Sequence, residues 1–157
     1  MEAVVPTRGF GHAHIRIATD RPTEFIDLTE RLEALIAQSG IRFGFVNVQS
    51  LHTTAAIVVN ENEPLLLTDF AAVLERSAPA GAIYRHDDVA VRTVNLTADE
   101  RVNGHAHCRA LLLGSSACIN VIYGRLHLGA WQRVFLVELD GPRDREVSVL
   151  ILGEGER

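Results

Sequence analysis

The residues best placed to do chemistry in this sequence are histidines. Seven occur, and three stand at breaks between apolar stretches. His52 lies in Leu51-His52-Thr53-Thr54, between two β-branched runs. His86 lies in Tyr84-Arg85-His86-Asp87, within a long loop. His107 ends Asn103-Gly104-His105-Ala106-His107, at the opening of a helical pattern. Neutral imidazole ligates zinc and similar divalent ions, and three such ligands leave a fourth position for water or substrate. If His52, His86 and His107 converge, they form a site of that kind. Their spacings are long and no HExxH-type motif is present, so surface or hydrogen-bonded polar histidines account for the same pattern. His12 and His14 share one face if their segment is a strand and are expected in solvent. His105 and His107 point apart on a helix, which leaves His105 as a candidate supporting residue.

Carboxylates and amides add to this set. Asn60-Glu61-Asn62-Glu63 ends an apolar run. It reads either as a turn opening the next helix or as the means by which Glu61 reaches the pocket of His52. Glu138 interrupts Phe135-Leu136-Val137 and must be paired, protonated or facing water. Its setting is either an edge or solvent face, or one with an Arg or His partner. In Gly124-Arg125-Leu126-His127-Leu128-Gly129-Ala130-Trp131-Gln132, Gln132 offers amide recognition beside an apolar wall. The alternative is a bulged strand with Trp131 in the core. Gly114-Ser115-Ser116 is too short and wrongly placed for a phosphate loop.

Composition bounds what surrounds these groups. A length of 157 residues suits a single domain, 1–157, with ends at about 1–8 and 153–157 expected to be flexible. Such a chain buries enough surface to fold without a disulfide or a metal. Hydrophobic residues make up 47% and charged residues 22%, as in ordinary globular proteins. The net charge of −5 argues against nucleic acid as a partner. No run approaches the 18 apolar residues of a membrane span. There is no Lys, so Schiff-base and P-loop lysine chemistry are excluded, and any anion clamp must be built from Arg. Cys108 and Cys118 form no CxxC pair and read as reduced thiols of a cytoplasmic protein.

The elements that must position these residues follow from periodicity. His12–Thr19 alternates as a half-buried strand. Asp20 or Thr23 caps a helix running to about Ser39, with Phe25, Leu28, Leu32, Leu35 and Ile36 as its apolar stripe and Gly40 as its stop. Phe43–Val48 and Ala55–Val59 are apolar on both faces, as expected of strands in a covered sheet or at a subunit interface. Pro64–Arg76 is a helix, Pro79–Asp88 mostly loop, His105–Leu113 a short helix and Ala117–Ile122 a strand. Val134–Leu139 and Val147–Leu152 are strands joined through Asp140-Gly141-Pro142. This order is no regular βαβ alternation. It predicts an α+β fold with a largely antiparallel, β-sandwich-like sheet and flanking helices.

Seven pieces, taken in order, resemble the YjbQ-type family, known as secondary thiamine-phosphate synthase enzymes. They are His52-Thr53-Thr54-Ala55, Asn60-Glu61-Asn62, Tyr84-Arg85-His86, Ala106-His107, Leu113-Gly114-Ser115-Ser116, Gly124-Arg125-Leu126 and Gly129-Ala130-Trp131-Gln132. The resemblance covers roughly residue 8 to the end. It implies a homotrimer with a polar site near a subunit boundary, where His52, His86 and His107 form a metal- or phosphate-binding triad. It also implies Glu61, Asn103 and Gln132 as candidate catalytic residues, and Asp69 approximately matches a recurrent acidic position. Substrate contacts fall to Thr53, Thr54, Arg109, Arg125 and Trp131. The sequence departs from the family at Val102, where an acid is usual, at Arg109 for a lysine, at Asn120 for a proline, and at His127.

The expected function is therefore that of a metal-assisted enzyme, using zinc or a similar divalent ion, on a small phosphorylated substrate. A thiamine-phosphate-synthase-like side activity is implied by the resemblance, with Arg125 or Arg109 gripping phosphate oxygens. The alternatives are a metal-dependent phosphate-ester hydrolase and a non-catalytic, ligand-binding trimer.

Overall fold

The computed structural model describes residues 9–155. Eight strands and three helices build two antiparallel sheets, the α+β arrangement that the sequence predicts. In the five-stranded sheet the order is β1 (Phe10–Ala18), β8 (Asp144–Gly155), β3 (Ile41–Ser50), β5 (Ser116–Ile122), β6 (Arg125–Leu126). The second sheet holds β2 (Glu24–Asp27), β7 (Gln132–Glu138) and β4 (Ala55–Glu61).

Strict alternation decides what each strand buries. Ala13, Ile15 and Ile17 of β1, Val46 and Val48 of β3, and Val147, Val149 and Ile151 of β8 turn inward. They meet Ala55, Ile57, Val134 and Leu136 of the smaller sheet and Leu32, Leu35 and Ile36 of α1 (Thr29–Ser39). The opposite face of the smaller sheet presents Ala56, Phe135 and Val137. It is covered by Leu74 of α2 (Pro64–Ser77) and Ala106 of α3 (Gly104–Leu113). The smaller sheet is thus apolar on both faces, as Ala55–Val59 leads one to expect. Each fully buried aliphatic side chain contributes about 1.5–3 kcal/mol. Phe43 and Phe45 stay exposed on the outer face of the larger sheet.

Three expectations need correction. The first helix starts at Thr29, not near Asp20 or Thr23, because Phe25 and Ile26 pair with Val137 and Leu136 as strand β2. That pairing overrides the helical spacing of Phe25. Asp27 Oδ1 accepts from the Thr29 amide at 2.9 Å where the strand gives way to the helix. Residues 153–155 are not a loose end, since β8 continues through Gly155 and pairs with β3. The remaining terminal residues, 1–8 and 156–157, lie outside those described. Trp131 is no core residue, being 73% exposed just before β7.

Candidate functional site

His86 and His107 meet. Their ring centroids are 4.5 Å apart with a tilt of 59°. His107 sits in the first turns of α3, and His86 in a single 3₁₀ turn, Arg85–Asp87, that packs against it. Both rings are half-buried. Burial pushes the His107 pKa below its ordinary value of 6.5, and the neighbouring His86 adds to this while Asp140 opposes it. Arg92 Nη1 lies 3.2 Å from His86 Nε2. A guanidinium can only donate, so His86 Nε2 is the acceptor in this contact. The pair is thus two imidazoles in contact, with burial disfavouring the charged form of His107.

Asp87 fixes this contact. Its Oδ1 accepts from the Asn103 amide at 3.0 Å and the Gly104 amide at 2.9 Å, which ties the 3₁₀ turn to the α3 N-terminus. A Cβ on Gly104 would stand 2.5 Å from the Tyr84 Cβ, so only glycine lets the two segments approach this closely. Asn103 Nδ2 donates to Asp140 Oδ2 at 3.0 Å. Arg143 pairs with the same oxygen, and Arg101 Nη1 lies 3.9 Å from Asp140 Oδ1. Burial lowers the Arg143 pKa, Asp140 opposes this, and the like charges of Arg145 and Arg101 add to the lowering.

A buried ion pair stands behind Asp140. Glu138 and Arg145 are 0% and 1% exposed, with Arg145 Nε 2.6 Å from Glu138 Oε2. Glu138 Oε1 also accepts from the amides of Leu139, Asp140 and Gly141, and Oε2 accepts from the Thr19 hydroxyl. Burial would raise the Glu138 pKa, but the Arg145 hydrogen bond and the Asp140 and Gly141 amides hold it below its ordinary value. Of the settings open to Glu138 in sequence, the Arg partner is the one realised. Arg145 Nη2 continues to Thr54, at 3.1 Å from Oγ1 and 3.3 Å from the carbonyl oxygen. One ion pair thereby holds both the Asp140 turn and the loop that carries His52.

His52 does not join the imidazole pair as a third ligand. Its Nε2 accepts from the Glu146 amide at 2.8 Å. The ring must then carry its proton on Nδ1, so neither nitrogen has a lone pair for a metal. Burial, then Arg145, lowers its pKa, while Glu146 opposes them. The charged groups acting on His52 are Arg145, Glu146, Arg143 and Glu138, whereas those acting on His107 are His86, Asp140, Arg92 and Asp87. Among the described residues, no group of three or more His, Cys, Asp or Glu side chains is arranged to hold a metal ion. The residues of one chain therefore do not fit a resident divalent metal.

The other expected residues scatter. Glu61 and Gln132 do pair, directly opposite each other on β4 and β7. They stand at the far end of β4 from His52, about 20 Å along the strand, so Glu61 does not reach the pocket of His52. Trp131 is beside them, and Gln132 Oε1 accepts from the Gly129 amide at 2.8 Å. Arg109 is 3% exposed and structural: Nε donates to the Ala78 carbonyl at 2.9 Å, and Nη2 pairs with Glu75. Arg125 is exposed on the edge strand β6. Thr54 is buried on Arg145 and is unavailable to substrate, whereas Thr53 is exposed. Asn103 alone of the candidate catalytic residues lies beside His107.

Residues 13–154 match the family described as UPF0047 protein YjbQ-like. The chain belongs to this family. A UPF0047 protein of Methanothermobacter thermautotrophicus is 41% identical over 138 residues, covering 88% of this chain and 89% of that one. The UPF0047 protein YugU of Bacillus subtilis is 32% identical over 140 residues, covering 88% and 97%. Among solved structures, a YbjQ-like protein of unknown function from Sulfolobus solfataricus aligns with a TM-score of 0.83 at 35% identity, over 92% of this chain and 98% of that one.

Four of the seven YjbQ-like pieces of the sequence thus fall on two separated places. Tyr84–His86 and Ala106-His107 form the imidazole pair, while Asn60–Asn62 and Gly129–Gln132 gather at the opposite end of β4. Asp87, Arg92, Asp140, Arg143 and the Glu138–Arg145 pair carry the first place and were absent from the expected set. Of these, only Glu138 gave a signal, as an acid inside an apolar strand.

Proposed function

We propose that this chain is an enzyme acting on a small phosphorylated molecule, with the His86–His107 pair as its proton-transfer group. The observation that carries this reading is the contact of two half-buried imidazoles at the start of α3. A neutral imidazole near pH 7 is suited to take a proton from a reacting group and return it to a leaving one. Because the rings touch, a proton on one disfavours a proton on the other, so the pair works as one acid–base unit.

Within this reading a thiamine-phosphate-synthase-like transfer is a side activity: a pyrimidine-methyl pyrophosphate loses pyrophosphate and the nitrogen of a thiazole phosphate is alkylated. The half-burial of both rings leaves water access and favours hydrolysis of phosphate esters as the second reading. A divalent metal enters either reading only if a second copy adds a donor, and no step is routed through it. The assay mixes both thiamine halves, or a panel of phosphate esters, with chelator-treated and zinc-loaded protein. Turnover with equal rates supports the imidazole reading. Ligand binding without any turnover makes the protein a binding module instead.

The same proposal includes a homotrimer. Phe45 lies opposite Leu152 on the exposed face of the larger sheet, and the Phe43 and Tyr123 rings stand 5.0 Å apart beside them. Apolar clusters of this kind suit contact with another copy. A trimer would also allow the Glu61–Gln132 end of one protomer to approach the imidazole pair of the next. Sedimentation equilibrium tests the assembly, and Phe45→Asp should dissociate it. The two free, exposed thiols fit a reducing, cytoplasmic setting. Among the described residues no helix is long and apolar enough to cross a membrane.

A further inference from the structure

A cavity of about 370 Å³ is lined by Thr97, Asp99, Glu100, Arg101, Asn103 and Arg143. Its guanidiniums are only partly engaged within the protein. Glu100 is taken by Arg92. Arg101 and Arg143 share a single buried carboxylate, that of Asp140, and Asp99 is the remaining acid of the lining. Their side chains are 49% and 31% exposed, so both guanidiniums reach the opening.

Two polar atoms on this wall also lack partners among the described residues. Asn103 is only 8% exposed, and its Oδ1 has no donor, while Arg143 Nε has no acceptor. Leaving a buried polar atom unpaired is costly, and native structures rarely leave one without a ligand, ion or water to satisfy it. The cavity thus lacks an acceptor for its guanidiniums and a donor for its carboxamide. Exposed Asp99 on the rim adds a second acceptor for a hydroxyl. Bare phosphate supplies the first need better than the second. A phosphate ester with a free hydroxyl nearby supplies both.

We propose that this cavity seats the phosphate group of a small hydroxylated phosphomonoester, with Arg101 and Arg143 holding phosphate oxygens and Asn103 Oδ1 accepting from a substrate hydroxyl. This rests on, and deepens, the reading of the protein as an enzyme for a phosphorylated molecule. It moves the phosphate grip from Arg109, buried in a structural role, and Arg125, exposed on the edge strand β6, to two arginines outside the family-like motifs. Asn103 joins this grip to the imidazoles, because its carbonyl accepts from the His107 amide at 3.3 Å.

Calorimetric titration with glycerol phosphate and with inorganic phosphate, at low salt, tests the assignment. Wild type should bind glycerol phosphate more tightly than inorganic phosphate. Arg101→Gln, at a half-exposed position where folding is not at stake, should weaken glycerol phosphate by about tenfold. Adding Arg143→Gln should abolish binding, with the melting temperature recorded to confirm a folded chain. No binding by wild type, or equal affinity in Arg101→Gln, overturns the cavity assignment. Binding at the arginines without turnover of any phosphorylated substrate instead defeats the enzymatic reading and leaves the cavity standing.

Discussion

The guanidinium of Arg145 closes on the carboxylate of Glu138 with Nε 2.6 Å from Oε2, and neither side chain is more than 1% exposed. Each partner also serves one half of the polar network. Arg145 holds Thr54 in the His52 loop, and Glu138 holds the amides of the Asp140 turn. Glu138→Gln leaves the Arg145 charge buried without compensation, and should cost about 3–5 kcal/mol in urea denaturation. The double replacement Glu138→Leu/Arg145→Met removes both charges and should cost less than the two single replacements summed.

Gly104→Ala tests whether the imidazole contact depends on close backbone approach. The added methyl would stand 2.5 Å from Tyr84 Cβ and 2.7 Å from Cγ. Tyr84 must yield, and with it the turn that carries His86. A stability loss of about 1–3 kcal/mol is expected in thermal melts, accompanied by a fall in kcat larger than the stability loss explains.

The histidines set an acid limit. Burial lowers the pKa of His52, His105 and His107 below 6.5 in the folded chain. The unfolded chain therefore binds more protons than the folded one as pH falls below 6.5. Stability from these groups is complete above that pH and declines as pH drops through the folded pKa values. The urea midpoint should fall on acidification, and His52→Asn should flatten that fall while lowering the midpoint at pH 7.5, where the Glu146 amide loses its acceptor.

Two arginines separate structure from recognition. Arg109→Met removes the donors to the Ala78 carbonyl and to Glu75, and should lower stability by about 1.5–3 kcal/mol without altering KM. Arg125→Gln, on the exposed edge strand, should change neither by more than about 0.5 kcal/mol.

The strands with clean alternation, such as His12–Thr19 and Val147–Leu152, were legible because one face is buried and the other wet. Strand β2 was hidden because its residues also fit a helical stripe, and its partner β7 lies more than a hundred residues away. The contact of His86 with His107 was legible only through their membership in one candidate cluster. No local pattern marks which histidine rings face each other. His52 looked like a ligand because imidazole chemistry is ambiguous in sequence, and only the Glu146 amide on Nε2 decides its tautomer. The Arg101–Arg143 cavity gave no signal, since its walls come from a loop and a strand entry distant along the chain.

The acid–base role of the imidazole pair is tested most directly by a double-mutant cycle in turnover. With the best substrate of the phosphate-ester and transfer panel, His86→Ala and His107→Ala should each lower kcat by about 10²–10⁴-fold, and the double variant should lose little more than either alone. Single variants that keep wild-type turnover, or losses that multiply in the double variant, would contradict a shared proton-transfer unit.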